Sequence, residues 1–240
     1  MATITVDERF CGPPGCANGG YFAGMLARCS PDLVRVRIDR PIPLGVPLEV
    51  RSDAEGALQL LHHGSILARA QPAAFELSVP QPPDYLRALD ASRHFIGFAH
   101  HAFPGCFVCG TDRARGDGLR IFAGELTGGP MVAATWVPDG SLSAGDGKVR
   151  PEFMSAALDC PGYFAARNDG VPMLLGEYSV HVDRCVHIEE PCIVIGWRIG
   201  LSGRKHEVGT ALFDYDGDLC ARARALWIEP KAGGGIVRPV

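Results

Sequence analysis

Asp159 is the carboxylate whose neighbours best suit it to chemistry. It stands in Ala156-Ala157-Leu158-Asp159-Cys160, with Met154 and Phe164 close by, so its surroundings predict a partly desolvated acid. Burial disfavours the charged form of a carboxyl group and raises its pKa, which makes a proton acceptor near neutrality. The bland alternative is a helix cap for the segment that restarts around Pro161. Cys160 adjoins Asp159; a neighbouring carboxylate raises a thiol's pKa, so this cysteine reads as buried and inert. Cys106 and Cys109 form a CxxC with His100 and His101 just upstream. Zinc wants four ligands and no second CxxC supplies them, and no βαβ unit surrounds the pair to suggest a redox motif. Two ordinary thiols in a packed segment is the reading that follows. His62, His63 and His206 flank hairpins, as exposed turn and strand histidines often do, without a predictable acid partner. Arg204 and Lys205 open a strand, where two adjacent bases commonly make a solvated edge that discourages aggregation.

The elements that must hold these residues are written twice. Gly20-Tyr21-Phe22-Ala23 returns as Gly162-Tyr163-Phe164-Ala165, Asp39-Arg40 with Pro47 returns as Asp183-Arg184 with Pro191, and Ala68-Arg69-Ala70 returns as Ala221-Arg222-Ala223. A repeat this long implies two pseudo-equivalent units, not a solenoid. Residues 34 to 50 alternate, with Val34, Val36 and Ile38 of one parity and Arg35, Arg37 and Asp39 of the other; Pro41, Pro43 and Pro47 break them into two strands joined by a proline-rich turn. Tyr178, Val180 and Val182, then Cys192 and Val194, repeat that pattern. Hairpins follow at His63-Gly64 and Asp216-Gly217. A helix precedes each strand set, over Ala17 to Arg28 and over roughly Pro151 to Arg167, and Pro161 should kink or bound the second near Leu158. Short leading strands are expected at Thr3 to Val6 and Met131 to Trp136. Residues 78 to 118, rich in Pro and Gly, form a connection with a short helix at Asp84 to Ser92, long enough that it should pack on the units it joins. The resulting domain plan is 1-77, a 78-118 linker and 119-240.

The chain has 240 residues, 47% of them hydrophobic, which suffices for two cores of ordinary domain size. Its formal charge of -4 arises from interspersed acids and bases, so no basic run is available to neutralise successive phosphates, and nucleic acid is not an expected partner. No stretch reads as a membrane span. The start, Met1 to Glu8, lacks the pattern of a signal peptide, which points to the cytoplasm and to nine cysteines held as thiols.

One helix wrapped by a long antiparallel sheet, present twice, resembles the double hotdog proteins, and in detail the tandem acyl-CoA thioesterases. Ala17-Asn18-Gly19-Gly20-Tyr21 resembles that family's helix-start signature, and Arg204-Lys205-His206 through Cys220-Ala221 is similar to its closing hairpin. The resemblance covers about residues 10 to 77 and 130 to 229. It implies an α+β fold of two tandem hotdog domains and hydrolysis of an acyl-CoA or related thioester. It also implies that the carbonyl approaches the backbone at Gly19 and Gly20, with Asn18 and Tyr21 beside it and Asp159 matching the catalytic aspartate. Amides at a helix start would polarise that carbonyl while the carboxylate activates water. Arg204 and Lys205 would then meet the phosphates of coenzyme A, present only as part of the substrate, with no metal or resident cofactor. Leu175 and Ala225 stand where the family carries a threonine and a glutamine. Either Asn18, Tyr21 or a polar group of the first unit replaces them, or the protein binds acyl thioesters without efficient turnover. An enoyl hydratase or dehydratase, whose relatives carry an Asp and His pair in a motif not found here, is a lower-ranked alternative. Single hotdog domains pair and this chain supplies its own pair, so further homo-oligomerisation is optional.

Overall fold

The computed structural model describes residues 2-74, 76-166 and 172-231. Eleven strands form one large antiparallel sheet: β1 (Ala2–Thr5), β2 (Val34–Ile38), β3 (Pro47–Ser52), β4 (Leu58–His62), β5 (Ser65–Pro72), β6 (Gly124–Glu125), β7 (Met131–Trp136), β8 (Leu174–Val182), β9 (Cys192–Ser202), β10 (Lys205–Phe213) and β11 (Leu219–Ile228). Their order across the sheet is β1-β3-β4-β5-β2-β8-β11-β10-β9-β7-β6. Five strands from before residue 73 thus lie on one side and six from after residue 123 on the other. They meet where β2 pairs with β8, through Arg35, Val36 and Arg37 opposite Ser179, Tyr178 and Glu177.

The repeated Asp-Arg motif makes the same contacts in both places. Asp39 and Arg40 each donate their amides to the Leu67 carbonyl, at 2.9 and 3.1 Å; Asp183 and Arg184 do the same to Cys220, also at 2.9 and 3.1 Å. The Asp39 carboxylate pairs with Arg69, and the Asp183 carboxylate pairs with Arg222 at 2.7 Å. Gly64 and Gly217 both turn their hairpins at positive φ, 77° and 86°, where a side chain would be strained.

Among the described residues four α-helices accompany the sheet: α1 (Gly19–Ala27), α2 (Tyr85–Arg93), α3 (Pro151–Ala157) and α4 (Asp159–Ala166). The expected second helix is therefore two, broken at Leu158, because Pro161 lacks the amide that would continue the ladder through that turn. Arg167, the end expected for it, lies outside the described residues, as do residues 232-240 of the expected C-terminal domain. Pro151 occupies the first turn of α3. α1 is buried from Gly20 to Leu26 with only Met25 partly open, so it is apolar nearly all round, as a central helix must be. It runs antiparallel to α3: Gly20 faces Asp159 and Ser155, Gly24 faces Ser155 and Glu152, and the Arg28 guanidinium closes the pair on Glu152 at 2.9 Å.

The core lies between these helices and one face of the sheet, and a smaller cluster covers part of the other face. Along β7 and β9, Val132, Ala134, Cys192 and Val194 join the main core, whereas Ala133, Ile193 and Ile195 pack under α2 through Ala88 and Ala91. Strand alternation sends these two sets to opposite faces. The connection packs on the fold as its length demands: Phe107 and Val108 are fully buried and Phe95 stacks edge-on against Phe164. Among the described residues no helix is long and apolar enough to cross a membrane.

Candidate functional site

A cavity of about 1060 Å³ opens beside the start of α1. Its wall draws on the loop before α1, the β2–β3 connection, the linker, the start of α4 and the ends of β8 and β11. Asn18, Gly19 and Asp159 all reach it, so the structure gathers three of the residues singled out from the sequence.

Asn18 caps α1: its Oδ1 accepts the Tyr21 amide at 2.9 Å, satisfying one of the donors a helix start leaves free. Its Nδ2 donates to Asp159 Oδ2 at 2.7 Å, and the Gly20 amide donates to the same oxygen at 3.0 Å. Asp159 thus has one oxygen fixed by two donors. The other, Oδ1, is buried without a hydrogen-bond partner. Burial pushes this carboxyl group up to about 7, and the Gly20 and Asn18 hydrogen bonds pull it back only in part. Asp159 therefore braces the start of α1 across the helix pair, and its second oxygen is a buried, unpaired acceptor in a residue that lines the cavity.

The Gly20 amide, which the resemblance implied would meet a substrate carbonyl, donates to Asp159. The glycine is needed for another reason: a Cβ there would sit 2.5 Å from the Asp159 Cβ. Among the described residues the Gly19 amide has no hydrogen-bond acceptor, and this leaves one donor of the helix start for a ligand. The Tyr21 side chain points away from the cavity into an aromatic cluster, stacked on Phe10 at 4.2 Å and close to Phe153 and Phe107. Burial pushes its hydroxyl up to about 12. Arg204 lines the cavity; its neighbour Lys205 is exposed and does not. Lys231 joins Arg204 there. Leu175 packs over Gly19 at the wall, while Ala225 is buried in β11 opposite Tyr178.

Two groups went unread in the sequence. His206 is buried, not exposed, and its Nε2 bonds Glu229 Oε1 at 2.6 Å, a partner supplied by the far end of the neighbouring strand. Cys160 lies against the CxxC: its sulfur is 3.6 Å from that of Cys106, and the sulfurs of Cys106, Cys109 and Cys160 all fall within 4.8 Å of one another. Hydrogen bonds from Cys109 and Cys160 hold the Cys106 thiol well below the usual range, while the other two are pushed well above it. Only the adjacency of Cys160 to Asp159 hinted that it faces the cavity; its approach to Cys106 depends on how α4 meets the linker.

No protein-family model matches the sequence, and no curated protein does. Solved structures do. The tesB protein of Mycobacterium avium subs paratuberculosis aligns over 95% of this chain and 92% of its own, with 17% identity and a TM-score of 0.62. A candidate thioesterase from Novosphingobium aromaticivorans DSM 12444 aligns over 95% and 94%, with 14% identity and a TM-score of 0.59. For a further thioesterase superfamily protein the match covers 47% of this chain and 55% of the other, with 19% identity and a TM-score of 0.43. The fold is the hotdog fold that the tesB protein and the Novosphingobium structure share. At these identities the likeness is one of architecture, and the chemistry has to be argued from the cavity itself.

Proposed function

We propose that this chain hydrolyses acyl thioesters, with acyl-CoA as the substrate class, and that it is built from two fused hotdog units with the ligand cavity at their seam. The carrying observation is Asp159, which lines a largely apolar cavity: one oxygen is fixed by Asn18 and Gly20, and the other is buried without a partner. The mirrored strand order and the duplicated Asp-Arg contacts support the fused-unit reading.

In this mechanism the acyl chain lies in the cavity with its carbonyl oxygen toward the Gly19 amide, which donates to the oxyanion as it forms. Asp159 Oδ1 takes a proton from the attacking water, whose oxygen bonds to the carbonyl carbon. The carbon–sulfur bond then breaks, and the proton passes to the leaving thiolate. Asn18 positions the carboxylate and does not touch the reacting atoms. Arg204 and Lys231 offer cationic contacts for a phosphorylated carrier; Lys205 is not among the residues lining the cavity.

Thiol release from a panel of acyl-CoAs tests this. Asp159→Asn, which keeps the shape and loses the acceptor charge, is expected to lower kcat by about 10²-fold or more. Turnover unchanged in that variant removes Asp159 from the chemistry. A second reading, acyl-thioester binding without turnover, is favoured by apolar Leu175 beside Gly19. It predicts calorimetric binding of acyl-CoA with no thiol released by the wild-type chain.

A further inference from the structure

We propose that Cys106, Cys109 and Cys160 form a zinc site whose fourth coordination position faces the cavity. The distances are those of a mononuclear centre. With Zn–S bonds of about 2.3 Å, sulfurs on a tetrahedron stand about 3.8 Å apart. The Cys106 and Cys160 sulfurs are already at 3.6 Å, and the whole trio lies within 4.8 Å. A disulfide requires sulfurs at about 2.05 Å and would leave the third thiol unmatched.

The backbone around the trio is built for this grouping. The Gly110 amide returns to the Cys106 carbonyl at 2.9 Å, closing a tight turn that carries Cys106 and Cys109 on one side. A Cβ on Gly110 would lie 2.3 Å from that carbonyl oxygen, so only glycine permits the closure. His101 clamps the same loop. Its Nδ1 accepts the Phe103 amide at 3.0 Å, which assigns the proton to Nε2, and Nε2 bonds the Cys109 carbonyl at 3.0 Å. Both ring nitrogens are spent, so His101 supports the sulfur-bearing loop and does not ligate.

The sulfurs also behave unlike the protein's other buried cysteines. Cys16, Cys192 and Cys220 each donate to a backbone carbonyl, of Pro14, Glu190 and Asp218 respectively. Cys106, Cys109 and Cys160 instead face one another. Among the described residues no His, Asp or Glu joins them at that range, and all three line the cavity. Three protein ligands with an open position is the arrangement zinc adopts where an outside ligand binds. The open position here suits a small oxygen or sulfur donor arriving through the cavity.

Metal analysis by mass spectrometry of the full chain, purified without a chelating column, is expected to find about one zinc per protein. Cys106→Ser and Cys160→Ser should lose it and Cys192→Ser should retain it, with circular dichroism reporting folding. Cobalt(II) added to metal-stripped wild-type protein should give thiolate charge-transfer absorption in the near ultraviolet, together with the strong visible bands of a tetrahedral site. That readout holds even if a serine variant fails to fold. A metal-free wild-type chain with no such absorption overturns the proposal, as does full zinc retention in Cys160→Ser or a Cys106–Cys109 disulfide found by mass. Substrate appears in none of these measurements, so their failure would leave the hydrolysis proposal standing.

Discussion

A Cβ on Gly20 would lie 2.5 Å from the Asp159 Cβ on α4 and 3.0 Å from the Ser155 carbonyl oxygen on α3, both held in packed helices. A Cβ on Gly19 would meet the Leu175 Cδ2 at 2.7 Å, the movable end of a flexible side chain. The two positions should therefore separate on substitution. Gly20→Ala is expected to cost about 2 kcal/mol through overpacking, a fall of roughly 4–8 °C in Tm for a chain of this size. Gly19→Ala should cost less than half of that, because Leu175 can rotate and alanine favours helix. Equal losses in thermal denaturation would contradict this account of the α1 crossing. Asp159 was legible because its apolar neighbours are local in sequence. The roles of Gly20 and Tyr21 were not, since each is set by a partner from a distant segment: a carboxylate on α4 and the rings of Phe107 and Phe153. The thiol trio was hidden for the same reason, with its third sulfur supplied by α4.

The hairpins show how much an element reveals when its signals are short-range. The Asp216-Gly217 and His63-Gly64 turns, the leading strand at Met131–Trp136 and the break at Leu158 all follow from residues within a few positions of each other. Strand ends were harder, because Ile42, Leu44 and Val46 continue the parity of β2 yet belong to the loop that turns through Gly45 at a φ of 69°. The closing hairpin β10–β11 carries its own electrostatic staple. Burial alone would raise the Asp214 carboxyl group, but the Arg184 guanidinium and the Asp218 amide, at 2.8 Å, outweigh it and hold the group below its ordinary value. A depressed folded pKa means the stabilisation is complete above the unfolded value and is lost as pH falls through the folded one. Arg184 is 44% exposed, so its share is screened and worth about 1 kcal/mol. Asp214→Asn should be less stable than wild type in urea at pH 7, with the gap narrowing steadily as the solution is acidified below about pH 4. A gap independent of pH would assign the loss to packing.

At the scale of the molecule, the two sides of the sheet share more than the short β2–β8 junction. One continuous core runs from Val6 to Trp227, and Phe107 of the linker packs between Phe10 of the first side and Phe153 of the second. The start of α1 is completed by Asp159, and α1 packs along α3. Neither side retains a closed core without the other: removing the second takes Phe153 from Tyr21, while removing the first uncovers Phe153 and leaves Asp159 without Asn18. The sequence repeat suggests two domains; the interior they share, which motif spacing cannot reveal, is expected to couple them on unfolding. Calorimetry of the full chain should therefore show one unfolding transition, with the van't Hoff and calorimetric enthalpies in agreement. A fragment of residues 1–77 should not fold alone, and its circular dichroism should lack a cooperative melt. Two resolved transitions, or a folded fragment, would mean that the seam contributes little and that each side is stabilised by its own core.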